Sequence, residues 1–301
     1  MIEIRERDQR NVELFGAKGQ LRLKQANALI VGAGGLGSPL AQHLALLGVG
    51  NIAAADDEEL SETNRNRFVG AFHSDSVPGT LKVDIIGRLI HAIDPSIAYQ
   101  GIPHSLLSAE VFQAVRQADW VFGCFDEDGP RMILSELSIA YDKPYFDLAS
   151  DVPMNGVYGG RVTLSQRGTG CLKCLGLLDQ ADIRAFFATD DANEARDRIY
   201  GIDRSLLDER GPSVSPINGV VAALAATEFM VAVTQMRPPT PNLEYRGHQS
   251  KVVVSVDSPQ PDCPICAMRG RGSEAQVERY LSLDYLRERR ARKTLSASGT
   301  R

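Results

Sequence analysis

The chain has no surplus of positive charge, no internal repeat, no low-complexity tract and few cysteines, and each shortage removes a class of function. A formal net charge of −5 over 301 residues excludes the broad basic face of a general polyanion binder. It leaves room for small, locally basic phosphate pockets. No uninterrupted apolar run approaches the length that spans a bilayer, and the opening residues Met1 to Arg10 hold no apolar signal core. Neither nucleic acid nor membrane is expected as a partner, and a cytoplasmic location is. The remainder, 43% hydrophobic and 24% charged residues, is the composition of a globular chain that can bury one large core or two modest ones.

From residue 28 to residue 150 short apolar runs alternate with amphipathic stretches. Ala28–Val31, Asn51–Ala55, Ile97–Gln100, Asp119–Cys124 and Pro144–Leu148 read as strands. Ser38–Gly48, Thr80–Ala92, Ala109–Arg116 and Gly129–Tyr141 read as crossover helices. The pattern predicts an α/β fold, a Rossmann-like, mainly parallel sheet with helices on both faces. Beyond Val157 a smaller mixed β region is expected, with strands at Tyr158–Leu164 and Lys251–Val256 and a buried, alanine-rich helix over Ile217–Val233. Asp179–Ser213 is charged and weakly patterned and reads as a mobile crossover segment. From Ala267 the chain is arginine-rich. A helix over Ser273–Arg292 has poor apolar spacing, so a solvated basic extension over 267–301 is the expectation.

The first strand runs directly into Gly32-Ala33-Gly34-Gly35-Leu36-Gly37-Ser38 and then a helix. Missing side chains let backbone amides approach phosphate, and the helix N-terminus stabilises negative charge. The same text satisfies the dinucleotide fingerprint, and Asp56, ending the second strand, could hold a ribose in either case. The residues beyond Asp56 separate the two. Arg65, Arg67 and Lys82, with Asn64 beside them, place cations just past the ribose position. Departure of pyrophosphate from a triphosphate needs such charge, whereas the pyrophosphate of a dinucleotide is held by the glycine loop alone. Asp126, followed by Glu127, closes the fourth strand at the carboxyl edge of the sheet, where a magnesium ligand is expected.

Cysteines number five. Cys171-x-x-Cys174 and Cys263-x-x-Cys266 form two knuckles that together supply four thiolates to a closed, tetrahedral zinc site with no open position for catalysis. The remaining Cys124, at a strand end, reads as a buried structural thiol.

These residues in this order resemble the ThiF/MoeB/HesA family, bacterial relatives of ubiquitin-activating enzymes, over roughly residues 5 to 266. The resemblance implies an adenylation domain over 1–266, with a nucleotide-binding half at about 1–150, a partner-binding and zinc half at about 151–266 and the crossover segment at about 179–213. The family set falls on Asp56, Asn64 with Arg67, Lys82 and Asp126, and the glycine loop carries Gly32, Gly34, Gly35, Leu36 and Gly37 as nucleotide contacts. Arg7-x-x-Arg10 corresponds to a family motif whose second arginine reaches the neighbouring subunit's ATP site, which implies a homodimer and a catalytic role for Arg10. Three features depart from the family pattern, one of them two extra residues between Asp56 and Lys82. Arg67 is followed by Phe68, and Asp126-Glu127-Asp128 replaces the usual Asp-Asn start.

Expected cofactors are ATP, Mg2+ and Zn2+, and the expected partner is a small ubiquitin-like or sulfur-carrier protein with a glycine C-terminus. The small residues Asn155-Gly156 and Gly159-Gly160 are candidates for the border of the groove that takes its tail. Family members that form a thioester carry a cysteine in or after the crossover. Here Asp208 stands near that place and no cysteine lies between Cys174 and Cys263, implying a branch that stops at the acyl-adenylate. Adenylation of a peptide or other small carboxylate is the alternative. An NAD-dependent oxidoreductase gives the phosphate-facing cations and the knuckles no task, and a non-catalytic scaffold would not need Arg67, Lys82 and Asp126.

Overall fold

Side chains alternate across every central strand, and apolar residues on both sides require cover on both faces. The computed structural model describes residues 3–154, 156–189, 193, 213–256, 258–286 and 288. In it β1 (Asn27–Val31), β2 (Asn51–Ala55), β3 (Ala98–Ile102), β4 (Trp120–Gly123) and β5 (Tyr145–Met154) lie parallel in the order β3-β2-β1-β4-β5. Ile30, Phe122 and Phe146 enter one apolar layer, while Leu29, Val121 and Tyr145 enter the other. Helices α2 (Gly37–Leu47), α3 (Lys82–Ile93) and α7 (Ser215–Thr234) cover the first layer, with α1 (Gln9–Gln25) against α7. Helices α4 (Ala109–Gln117) and α5 (Asp128–Ala140) cover the second, and α6 (Gln180–Phe187) rests on α5.

The expected mixed region continues this sheet and does not stand apart from it. Strands β6 (Val157–Ser165), β7 (Asn242–Arg246) and β8 (Lys251–Val254) add antiparallel beyond β5, making eight strands. The glycines of β6 are accounted for by packing. A Cβ on Gly159 would meet the Tyr245 carbonyl oxygen at 1.9 Å, and one on Gly160 would meet the Ala149 carbonyl oxygen at 2.4 Å. Asn155 lies outside the described residues.

Among the described residues α7 alone is long and apolar enough to cross a membrane. Its Val221, Ala222, Ala225 and Phe229 are in the core, and its buried Glu228 receives Arg237 at 2.6 Å, so an interior position explains its composition. Helix α1 was not anticipated. Gly16, at φ 77° and ψ 164°, breaks the 3.6-residue pattern midway and joins two short helices across a kink.

Two expectations about the second half are corrected. Part of the crossover is ordered as α6, capped by Asp179, whose carboxylate accepts the Ala181 N–H at 2.7 Å. Residues 190–192 and 194–212, with Asp208, lie outside the described residues. The start of the basic extension is packed, not solvated. It forms 3-10 turns at Gly272–Ala275 and Val277–Ser282, with Val277, Tyr280 and Leu286 buried and the Tyr280 hydroxyl donating to Glu136 Oε2 at 2.7 Å. The three-residue step from Val277 to Tyr280 suits a 3-10 turn, and an α-helical reading misses it. Residues 289–301 lie outside the described residues.

Candidate active site and metal centre

The loop from β1 into α2 is built for close approach. Gly32 sits at φ +97°, and a Cβ there would meet the Cys124 carbonyl oxygen at 2.7 Å, so loop and β4 end are pressed together. A Cβ on Gly37 would fall 2.1 Å from the Gly32 carbonyl oxygen, while Gly34 faces open space. No side chain caps α2; Ser38 donates its N–H back to the Gly34 carbonyl at 2.9 Å and Pro39 has no N–H, so the amides that can meet an external acceptor are those of the loop into Gly37. Buried Ser38 accepts the Val69 N–H at 3.0 Å, which folds the 61–69 turn over the loop. The stem of Arg67 thereby comes within 3.2 Å of a Cβ built on Gly35. Leu36, at the N-cap of α2, is buried.

Asp56 ends β2 beside this loop. Its Oδ2 accepts the Ala33 N–H at 2.8 Å and its Oδ1 the Glu58 N–H at 2.9 Å. Burial raises its pKa and the nearby Lys82 ammonium opposes the rise. Lys82 opens α3 with its side chain 7% exposed and its ammonium on Glu58. The backbone pins it there, because Lys82 donates its N–H to the Glu58 carbonyl at 3.1 Å. Asn64 shares the turn with Arg67, whose N–H it accepts at 3.0 Å through its carbonyl. Its side chain instead closes the local 3-10 turn by accepting from the Ser61 N–H at 3.4 Å. Gly32 to Gly37, Asp56, Arg67 and Lys82 are thus gathered at the carboxyl ends of β1 and β2.

Asp126 and Glu127 occupy the turn from β4 into α5, two residues beyond the Cys124 carbonyl that abuts Gly32. Asp126 is exposed, and Glu127 is the half-buried N-cap residue of α5. The Cys124 thiol is pushed up by burial, with the nearby Asp147 carboxylate adding to the effect. Arg10 is placed elsewhere. Its guanidinium bonds Glu13 at 2.9 Å with the side chain 90% exposed, while Arg7 is engaged within its own chain by the Ile93 carbonyl at 2.9 Å and Asp94 at 3.2 Å.

Three side chains at the site were not legible beforehand. Asn218, in the first turn of α7, is 1% exposed and lies 2.6 Å from a Cβ built on Gly35. Its Nδ2 donates to Ser213 Oγ at 3.1 Å. Arg131 and Asp147 are buried under the Asp126 turn, and Arg131 donates to the Phe125 carbonyl from Nε at 3.2 Å and Nη2 at 2.9 Å. Asn218 stands in an alanine-rich stretch and Arg131 in an amphipathic helix, so neither carries a local pattern. The only signal was the unusual Asp126-Glu127-Asp128 run leading to Arg131.

The two knuckles meet. The four sulfurs of Cys171, Cys174, Cys263 and Cys266 lie within 4.8 Å of one another, with Cys171 to Cys263 at 3.6 Å and Cys174 to Cys266 at 3.8 Å. Four thiolates at about 2.3 Å from a tetrahedral ion stand about 3.8 Å apart, so the cluster has the size of such a site. Backbone amides already point at sulfur, Cys171 N–H to Cys174 Sγ at 3.2 Å and Cys174 N–H to Cys171 Sγ at 3.4 Å. These are the donors that stabilise thiolates.

Comparison with known proteins places this geometry. Residues 7–265 match the ThiF family. A Zea mays protein named adenylyltransferase and sulfurtransferase MOCS3-1 is 28% identical over 274 residues, covering 90% of this chain and 52% of the relative. The uba4 adenylyltransferase and sulfurtransferase of Aspergillus terreus is 28% identical over 286 residues, covering 92% of this chain and 52% of its own length. The chain therefore spans about half the length of the curated relatives it matches. Among solved structures, E. coli MccB superposes with a TM-score of 0.68 at 20% identity over 87% of this chain and 75% of that one. The similarity to PaaA has a TM-score of 0.61 at 20% identity, covering 82% and 81%. At that identity the likeness is one of fold.

Proposed function

The chain belongs to the ThiF family, and from that premise we propose that it is an ATP-dependent adenylyltransferase acting on the C-terminal carboxylate of a small ubiquitin-like or sulfur-carrier protein. The observation that carries the reading is the placing of Lys82 beside Asp56, and of the Arg67 stem against Gly35 with its guanidinium on the Thr63 carbonyl, at the mouth of an uncapped glycine loop. The joined names adenylyltransferase and sulfurtransferase of the maize relative support a sulfur-carrier partner.

A carboxylate is a poor electrophile. Joined to AMP as a mixed anhydride it becomes one that a weak nucleophile can attack. The carboxylate oxygen forms a bond to the α-phosphorus as the bond to the bridging oxygen breaks, and pyrophosphate leaves with that electron pair. The protein's contribution is positional and electrostatic. Amides of Gly34 to Gly37 at the α2 N-terminus face phosphate, Asp56 holds the ribose, Arg67 and Lys82 neutralise the leaving group, and Asn64 contributes a neutral hydrogen bond. Asp126, with Glu127, is the carboxylate set for magnesium, which when bound would neutralise phosphate charge. Arg10 would enter a neighbouring subunit's site. Cys171, Cys174, Cys263 and Cys266 would hold zinc, a closed set of four thiolates suited to a structural role. Without a cysteine between Cys174 and Cys263, the reaction ends at the acyl-adenylate, and a separate amine, sulfide donor or conjugating protein attacks it.

Exchange of labelled pyrophosphate into ATP, dependent on a protein ending in glycine, is the test. Lys82→Ala and Asp126→Ala should each lower exchange by at least about a hundredfold with circular dichroism unchanged. Full exchange in either folded variant refutes the assignment. The alternative, a peptide or other small carboxylate, uses the same residues and finds support in the solved MccB complexes with ATP and with MccA. Exchange driven by a short peptide but by no ubiquitin-like protein would select it.

A further inference from the structure

Beneath the exposed Asp126 turn lies a charged cluster that ordinary packing does not call for. Arg131 is 8% exposed and Asp147 is fully buried. Burying an arginine costs several kcal/mol in the absence of a counter-charge and well-placed acceptors. This one has both. Its guanidinium donates twice to the Phe125 carbonyl, once to Asp128 Oδ1 at 3.2 Å and once to the Leu148 carbonyl at 3.4 Å. Asp147 Oδ1 stands 3.8 Å from Arg131 Nε and accepts the Tyr145 hydroxyl at 2.9 Å. On the other side of the same carboxylate, Arg161 Nη2 is 3.6 Å from Asp147 Oδ2 and donates to the Leu177 carbonyl at 2.8 Å. Leu177 follows the Cys171–Cys174 knuckle, tied to it by its N–H to the Leu172 carbonyl at 3.0 Å.

We propose that Arg131, Asp147 and Arg161 form a buried positioning relay that sets the place of Asp126 and joins the Asp126 turn to the cysteine-knuckle segment. The peptide group between Phe125 and Asp126 is planar, so two hydrogen bonds on its carbonyl fix the Asp126 Cα as well. The bond to Asp128 holds the far end of the same turn. One guanidinium therefore clamps the segment that projects Asp126, and Asp147 ties that guanidinium to the arginine gripping the knuckle side. Arg131 touches neither nucleotide nor the carboxylate being activated. It acts through Asp126, and so the inference rests on the proposed adenylation for its functional consequence but not for its structural one.

The decisive variants are Arg131→Lys, which keeps the charge facing Asp147 and loses the fork on the Phe125 carbonyl, and Arg161→Gln, which leaves that fork intact. Hydrogen exchange of the backbone amides, read by mass spectrometry on the full chain, needs no activity. Arg131→Lys should speed exchange in peptides covering 124–129 about tenfold, and raise the magnesium concentration for half-maximal pyrophosphate exchange about tenfold with the KM for ATP changed less than twofold. Arg161→Gln should speed exchange at 175–178 and also at 124–129. Unchanged exchange at 124–129 in Arg131→Lys, or a rise spread equally over all peptides, overturns the proposal. So does an Arg161→Gln effect confined to 175–178. If Arg131→Lys does not fold, the Arg161→Gln pattern alone decides. A wild-type chain without pyrophosphate exchange on any substrate refutes the adenylation reading and leaves the amide-exchange result standing as the test of the relay.

Discussion

Two side chains near the nucleotide loop permit predictions about charge. The loop carrying Arg67 is closed by Asp75, which accepts Arg88 at 2.5 and 2.7 Å and the Phe72 N–H at 2.7 Å, while its own carbonyl accepts Arg65 at 2.8 Å. The Arg88 hydrogen bonds are the largest cause holding the Asp75 carboxyl down at about 2, against an ordinary 3.8. A depressed carboxylate contributes stability that is present above its unfolded pKa and lost as pH falls through its folded one. Arg88→Met should therefore cost roughly 1–2 kcal/mol at pH 7, and the difference in Tm from wild type should shrink between pH 4 and pH 2. A gap that stays constant over that window excludes the pair as its source. Cys124 is the opposite case. The residue is half-buried, and desolvation of its thiol raises the pKa, leaving it protonated at neutral pH and a poor nucleophile. Cys124→Ser should leave pyrophosphate exchange within about twofold of wild type, a buried hydroxyl costing about 1–2 kcal/mol of stability. A thiol-sensitive adduct between enzyme and partner, seen on a non-reducing gel and lost in this variant, would overturn it.

The cysteine cluster is an element-scale device, because it joins the segment after β6 to the segment after β8 across a separation of 92 residues. Buried Cys171, Cys174 and Cys263 pack with Ile139 of α5 and with Ile265, so a bound ion would brace the second helical layer. Elemental analysis should find about one zinc per chain, and Cys263→Ser should lower stability by several kcal/mol, since in such sites ligand binding is folding free energy. A metal-free chain as stable as the loaded one refutes the structural role. Elements of this kind are legible in sequence because both halves carry their ligands at a fixed short spacing. The glycine loop is legible for a similar reason, and the central strands because an apolar run of five residues between breakers has few other uses. Helix α1 was hidden by Gly16, and the packed segment at Val277 to Leu286 by its 3-10 geometry. Strand β7, Asn242 to Arg246, does alternate polar with apolar residues as a half-buried strand should, but its five residues stand between a proline-rich stretch at 238–241 and Gly247, where turn signals dominate so short a window. The Arg131, Asp147 and Arg161 relay is spread over α5, β5 and β6, and no short-range pattern announces a contact made only by the fold.

Assembly decides whether the site is complete in one chain. Arg10 is 90% exposed and, among the described residues, is held by an i,i+3 pair with Glu13, an arrangement worth a few tenths of a kcal/mol that a stronger partner could replace. The neighbouring Arg7 and Arg5 are spent on Asp94, anchoring the N-terminal segment while leaving Arg10 to face outward. If it completes the ATP site of a second subunit, as the family resemblance implies, a twofold interface presents the same segment of each chain to the other. Two variants inactive for different reasons should then rescue each other. In a mixed dimer of Arg10→Ala with Lys82→Ala, the site that keeps its lysine receives an intact arginine from its partner, and the other site lacks both. With free exchange of subunits about half the dimers are mixed, and one site in two of these is complete, so roughly a quarter of wild-type activity should return on mixing. An Arg10 acting within its own chain would leave every site defective and mixing would restore nothing. A chain that sediments as a monomer at the assay concentration rules the arrangement out before any variant is made.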